Sequence, residues 1–312
     1  YLSQEDYFGA CPGGRFRHSS MRPTRENLER LLAMLKSDTE EGCILRSCNY
    51  FQFSSPNEED LWNPTFNALL AWEGFFTITS ATGKRRAVEP LPELQPFYGV
   101  VTWENFEASR HVRKTLARLR TSEQKYCLVS DADPKRSWNL LDSYHREKYG
   151  TNWLTERYFA MLSQASSNSR VNFRLHCIDL FEEASDGSGP TGKPLAGEIG
   201  FSIGRIYTSL SGWIAERCPA RHGTAQLMLL GRWLQRQHCA FWSLGHCYSP
   251  SMDYKRMLGH RIYPRSDFLA LLAQHRGPFM FESDSSAEAG AFLGVGCSVS
   301  AKQLLDQVSE KI

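Results

Sequence analysis

The sequence predicts a mixed α/β chain with a smaller α/β region at residues 1–150, a second α/β domain at 151–275 and a tail at 276–312. Three observations carry this. At 312 residues the chain exceeds what one small core needs. Apolar residues recur with helical spacing in some stretches and alternate in others. Beyond residue 151, a run of strands, then one amphipathic helix, then another strand describes an acyltransferase-like α/β half.

Element by element, the opening is polar and carries Gly9, Gly13 and Gly14. A helix follows from Thr24 to about Lys36, with Leu28, Leu31, Leu32 and Leu35 as its apolar stripe. Asn63 caps a second helix with Pro64 in its first turn and Gly74 after its end. Strands are predicted at Phe75–Ser80, Phe97–Trp103 and Tyr126–Ser130, and helices from about Ser109 to Leu119 and after Asp133 and Pro134. A helix from about Thr155 to Ser166 leads into a long alternating strand, Arg170–Glu182. The Gly/Ser/Pro-rich turn Ala184–Lys193 delivers strands near Gly197–Ser202 and Arg205–Leu210. An amphipathic helix over Gly223–Gln237, a short strand over Ala240–Leu244 and a terminal helix over Ser300–Ile312 complete the pattern.

Several function classes drop out. The longest apolar runs, such as Leu69–Trp72, fall far short of the roughly 18 residues a spanning helix needs, so no membrane is expected. Nine scattered cysteines without a C-x-x-C pair argue against a disulfide framework and a zinc ribbon, and point to a reducing, cytoplasmic setting. The His-Cys pairs at His176, His238 and His246 sit in or beside strand-like runs where neighbours face opposite ways, so no metal is expected. Neither a phosphate loop, a dinucleotide glycine fingerprint nor a G-x-S-x-G elbow is present.

Net charge is only +2, so any nucleic-acid contact must come from a local patch. Arg110, His111, Arg113, Lys114, Arg118 and Arg120 place six basic or potentially basic residues in eleven positions with no acid among them. Positions 110, 113, 114 and 118 share one helix face. Such runs are usually solvated faces; Lys255, Arg256 and Arg265 later in the chain shift the balance toward RNA.

The block Gly197-Glu198-Ile199-Gly200-Phe201-Ser202-Ile203-Gly204-Arg205-Ile206-Tyr207-Thr208-Ser209-Leu210-Ser211-Gly212 resembles the core of leucyl/phenylalanyl-tRNA protein transferases. In the family's order follow Gly223-Thr224-Ala225-Gln226-Leu227, Phe241-Trp242-Ser243-Leu244-Gly245, Tyr254-Lys255-Arg256, Leu258-Gly259 and Arg265-Ser266-Asp267-Phe268-Leu269. Upstream, Gly74-Phe75-Phe76, Ser109-Arg110-His111-Val112-Arg113-Lys114 and Thr151-Asn152-Trp153-Leu154 look like earlier landmarks, so the resemblance spans about residues 60 to 272.

The resemblance implies a GNAT fold for the C-terminal half, a smaller N-terminal domain, and neither metal nor coenzyme A. It implies transfer of a Leu- or Phe-like residue from aminoacyl-tRNA to an acceptor protein's N-terminus, a tag for degradation; the chain is expected to be a monomer. Where the best known members carry an acid, and later an Asp with a Gln, this chain carries Leu210, and later Ser243 and Gly245; Glu198 and Ser243 are therefore the catalytic candidates. Trp153 resembles the tryptophan near the acceptor end. Phe201, Tyr207, Leu210, Ser211, Trp242 and Leu244 are candidates for the amino-acid pocket, though apolar residues in such positions are more often core. Arg110, Arg113, Lys114, Arg118, Arg120, Lys255, Arg256 and Arg265 are the candidate tRNA contacts. A GNAT-type acyltransferase using a donor such as acetyl-coenzyme A, and an inactive tRNA-binding protein, are the alternatives.

Overall fold

The computed structural model describes residues 15–18, 21–82, 87–217, 221–247, 252–281 and 296–306. From the N-terminus run β1 (Arg15–His18), α1 (Arg25–Lys36), α2 (Glu40–Arg46), β2 (Cys48–Gln52), α3 (Pro64–Trp72), β3 (Phe76–Thr82), β4 (Ala87–Glu93) and β5 (Phe97–Val101). Next come α4 (Trp103–Ala108), α5 (Arg110–Thr121), β6 (Tyr126–Ser130), α6 (Pro134–Tyr149), α7 (Glu156–Ser167) and the long strands β7 (Arg174–Glu183), β8 (Pro190–Ile203) and β9 (Ile206–Ile214). Then follow α8 (His222–Arg236), β10 (Phe241–Ser243), a 3-10 turn (Asp253–Leu258), β11 (Arg261–Pro264), α9 (Arg265–His275), β12 (Ser298–Ser300) and α10 (Ala301–Asp306).

The fold is mixed α/β. Eight strands form one sheet in the order β11-β5-β10-β9-β8-β7-β6-β12, and four form another in the order β1-β2-β4-β3. Within the larger sheet β9 and β10 are parallel and joined by the crossover helix α8, whereas every other neighbouring pair is antiparallel. The strands-helix-strand order expected of this half of the chain is present, with that single parallel step within an antiparallel run.

A boundary at residue 150 does not coincide with the sheets. β5 and β6, which precede it, lie in the eight-stranded sheet, and β12, from the expected tail, pairs with β6. α10 supplies Leu304 and Leu305 to the core under α8, so residues 296–306 belong to the main body. The expected terminal helix is described only as far as Asp306; its remainder and the N-terminal glycines lie outside the described residues.

Local chemistry explains the helices that hold the site. Asn63 accepts from the Phe66 amide and Thr155 from the Tyr158 amide, capping α3 and α7 as short polar residues do. α6 is capped by Asp133 at one end and closed by Gly150 at φ 75° at the other. Two apolar layers flank the larger sheet. One, under α5, α8 and α10, gathers Leu116, Tyr207, Leu229, Trp233, Trp242 and Leu304. The other, toward α3, α6 and α7, gathers Leu70, Trp138, Phe159, Ile199, Phe201 and Trp213.

Candidate active site

β9 and β10 pair over only three rungs: Ile206 with Phe241, Tyr207 with Trp242, and Thr208 with Ser243. β9 continues to Ile214, but the chain after Ser243 turns away to β5, where the Leu244 amide donates to the Gly99 carbonyl at 2.8 Å and the Gly99 amide to the Gly245 carbonyl at 3.2 Å. Gly245, at φ 62°, makes the departure possible. The two parallel strands therefore part, and among the described residues no strand pairs with β9 on that side beyond Thr208, which leaves a gap there.

A bulge sits at the mouth of this gap. Ile199 pairs with Ser211 but Gly200 with Ser209, so Leu210 is an extra residue and its flanking serines point to opposite faces. Ser209 points to the α8 face with Glu198; Ser211 points to the α6 face, where its hydroxyl is 3.0 Å from His145 Nε2.

Glu198 is buried, and its Oε1 accepts hydrogen bonds from Tyr207 Oη at 3.0 Å and Ser209 Oγ at 2.7 Å. Trp242 Nε1 in turn donates to Ser209 Oγ at 2.8 Å. Burial pushes the Glu198 carboxyl up to about 7, against the two hydroxyl donors and the charge of Lys255, which pull it down. Tyr207 can reach over because residue 200 is glycine: a Cβ there would lie 2.4 Å from the Tyr207 oxygen.

Lys255 closes the opposite side. It is buried, and its ammonium donates to the carbonyls of Leu244 at 2.5 Å and His246 at 2.6 Å, bracing the segment that has left β9. Burial lowers its pKa to about 8, opposed by the charges of Cys247 and Glu198. Next to it on the 3-10 turn, Tyr254 is 54 % exposed. Its pKa is held above the usual phenol range by burial first and then by the charges of Glu198, Tyr149 and Tyr144.

On the other face of the sheet, half-buried Trp153 packs 5.8 Å from the Phe76 ring and 6.3 Å from Tyr158, and Leu210 joins the same cluster. Thr79 Oγ1 donates to the Trp153 carbonyl. Beyond Phe76, His246 Nε2 lies 2.6 Å from Glu93 Oε2, a buried pair that sequence reading missed because the partners are 153 residues apart.

The structure separates some residues that the sequence grouped. Ser243 lines a narrow apolar crevice with Phe76, Tyr98, Phe201, Thr208 and Phe268, on the face opposite Trp242 and the Glu198 network. Glu198 and Ser243 therefore do not form one relay. Nor do the candidate pocket residues share one cavity: Tyr207, Trp242 and Leu244 are buried in the α8-side core, whereas Phe201 stacks on Phe173 in the opposite core.

The basic candidates divide as well. Arg110, Arg113, Lys114 and Arg118 are exposed on α5, opposite its buried Val112, Thr115, Leu116 and Leu119, and form no ion pair among the described residues. Arg256 is exposed and 3.2 Å from Asp253. Arg120 is committed to the Leu305 carbonyl, and Arg265 to the carbonyls of Gln95, Arg46, Cys48 and Leu94, because carbonyls left over at sheet and helix ends need donors. Lys255 braces carbonyls in the same way. Arg120 and Arg265 tie the fold together instead of presenting charge to a ligand, while the charge of Lys255 also acts on Glu198.

Among the described residues no group of three or more His, Cys, Asp or Glu is placed to hold a metal, and no helix is long and apolar enough to cross a membrane.

No family model and no curated protein matches the sequence. Among solved structures, the chain is similar to FemX at 12 % identity and a TM-score of 0.43, over 78 % of this chain and 75 % of that one. It is also similar to a functionally unknown conserved protein from Staphylococcus epidermidis ATCC 12228, at 10 % identity and a TM-score of 0.33, over 78 % and 79 %. Likenesses at this level assign no activity.

Proposed function

We propose that this chain is an aminoacyl-tRNA protein transferase, which moves an amino acid from charged tRNA to the N-terminal α-amine of an acceptor protein. The observation that carries the proposal is Glu198: a buried carboxylate, tuned to about 7, held by Tyr207 and Ser209 beside the gap between β9 and β10. The exposed cations of α5 support a polyanionic donor. The sequence block from Gly197 to Gly212 supports the same family of reactions.

An aminoacyl ester is already activated, so positioning and proton management suffice. Ionised Glu198 takes a proton from the acceptor's α-ammonium, leaving a neutral amine whose nitrogen attacks the ester carbonyl. The C–N bond forms as the carbonyl becomes a tetrahedral oxyanion. Protonated Lys255, two of whose N–H groups brace Leu244 and His246, contributes positive charge near that oxyanion. The bond to the ribose oxygen then breaks, the leaving hydroxyl takes the proton that Glu198 carries, and the regenerated carboxylate accepts the second proton from the nitrogen, leaving a neutral amide, and passes it to solvent. On this reading Glu198 is the catalytic residue, Ser209 and Tyr207 position it, and Ser243 stays with the crevice on the other face.

The test is incubation of the protein with radiolabelled Leu-, Phe- and Tyr-tRNA and peptides with free N-termini. Label moving to the peptide, and not to an N-acetylated copy, is the expected result. No transfer, together with a raised melting temperature in coenzyme A, would replace the proposal with a coenzyme A-dependent acyltransferase.

A further inference from the structure

Three tyrosines come from the two elements that border the gap. Tyr144 and Tyr149 lie on the last turns of α6, and Tyr254 comes from the 3-10 turn that carries Lys255. Tyr144 and Tyr149 are already occupied by a primary ammonium. Lys148 Nζ lies 5.0 Å from the centre of the Tyr144 ring and 4.7 Å from that of Tyr149, and donates to Tyr144 Oη at 2.8 Å. Ring faces attract cations at such distances, and the phenol oxygen accepts one of the ammonium protons.

This group is fixed to the candidate site. His145, between the tyrosines, has its ring centre 5.6 Å from Tyr144 and 5.4 Å from Tyr149. Its Nε2 is 3.0 Å from Ser211 Oγ and 3.2 Å from the Gly212 carbonyl, so the end of α6 is pinned to the free edge of β9. Gly212 is the rung opposite Glu198. Tyr254 adjoins Lys255 on the 3-10 turn, and burial, followed by the charges of Glu198, Tyr149 and Tyr144, raises the pKa of its hydroxyl. Lys148 itself is exposed and held by the two tyrosines, and no carboxylate pairs with it among the described residues.

We propose that Tyr144, Tyr149 and Tyr254 form the receiving site for the acceptor's primary ammonium, with Lys148 as a resident occupant that the incoming amine displaces on its way to Glu198. The proposal rests on the transferase reading for the identity of that amine. A cationic amine is first held by ring faces and a phenol oxygen, none of which takes its proton, and loses the proton only on reaching the carboxylate.

The test uses the whole chain without tRNA and two peptides of one sequence, one with a free N-terminus and one acetylated. Calorimetric titration of wild type, Lys148→Met, the double variant Tyr144→Leu/Tyr149→Leu, and Tyr144→Phe is compared, after thermal melts show that each is folded. The free-amine peptide should bind and the acetylated one should not. Lys148→Met should tighten binding several-fold, the double variant should weaken it about tenfold or more, and Tyr144→Phe, which keeps the ring, should lose less. In transfer assays the peptide KM should follow these changes while the charged-tRNA KM stays constant.

Equal binding of the two peptides, or no binding at millimolar peptide, would overturn the site. So would Lys148→Met weakening peptide binding or raising the tRNA KM, which would make Lys148 a phosphate contact. Amine-selective binding without any transfer would leave the site standing and sink the transferase reading; transfer with amine-blind binding would do the reverse.

Discussion

Ser109 donates its hydroxyl proton to the Met257 carbonyl at 2.8 Å, while the same oxygen accepts from the Val112 amide at the start of α5. One side chain thus caps the basic helix and fastens it to the turn that bears Tyr254 and Lys255. The cationic face and the gap are thereby held in fixed relation to each other.

Replacing Arg110, Arg113, Lys114 and Arg118 together by alanine should weaken binding of charged tRNA and flatten its salt dependence, because every phosphate that the helix no longer neutralises keeps its counterion. All four are exposed, so the melting temperature should barely move. Filter binding across a salt series measures both quantities. Unchanged affinity and slope would make the face a solvated surface.

Glu198→Gln should keep tRNA binding and lower single-turnover transfer by about 100-fold, the scale of a positioned acid-base group. Wild-type kcat/KM should rise with pH through about 7 as Glu198 ionises and fall above about 8 as Lys255 loses its proton. Stability should show the opposite sense for Glu198. Its folded pKa lies above its ordinary value of 4.5, so the folded state binds the proton more tightly and loses stability as pH rises from about 4.5 to 7. Glu198→Gln should therefore gain melting temperature relative to wild type at pH 8 compared with pH 5. A flat pH–rate profile with near wild-type transfer in the variant would exclude Glu198 from the chemistry.

Gly200→Ala tests the network without touching its polar groups. The new methyl would lie 2.4 Å from Tyr207 Oη and 2.6 Å from the Thr208 carbonyl, so either the ring or the strand must move. We expect both a lower melting temperature and a loss of transfer of at least tenfold in the folded molecules, on the scale of misplaced catalytic groups. Wild-type transfer in the folded fraction would show that Tyr207 is not needed to hold Glu198.

Trp153→Ala should raise the KM for charged tRNA about tenfold if its half-exposed indole meets the terminal base, since base stacking on a ring is worth roughly 1 to 3 kcal/mol. Loss of stability alone, with an unchanged KM, would assign the indole to the cluster of Phe76 and Tyr158.

What the sequence made legible was the period of many elements and one carboxylate that the fold buries. α1, α3, α5 and α7 follow from their stripes and caps, and Glu198 stands out as the carboxylate within an otherwise apolar strand. β4 escaped because Pro90 and Pro92 argue against a strand; both are tolerated since β4 meets β2 only at Glu93, leaving its far edge open where the missing N–H groups cost little. The partners of Glu198 escaped for a different reason. The bulge at Leu210 reverses the alternation along β9, so periodicity alone assigns Ser209 and Ser211 to one face when they occupy two. Lys255 and Arg265 read as surface charges because composition does not reveal which backbone carbonyls a fold leaves needing donors.

The gap itself is built from bonds that involve no substrate: Gly99 takes the backbone that β9 gives up, and Lys255 holds the carbonyls that follow. Nothing has to be pried apart for a flexible RNA terminus to enter. If the donor is the charged tRNA proposed above, the entropic cost of ordering falls on the visiting strand and not on the protein, and a fixed slot of this kind discriminates by what can reach its depth. Length and unpairedness of the single-stranded end, more than base identity, would then decide which nucleic acids are used.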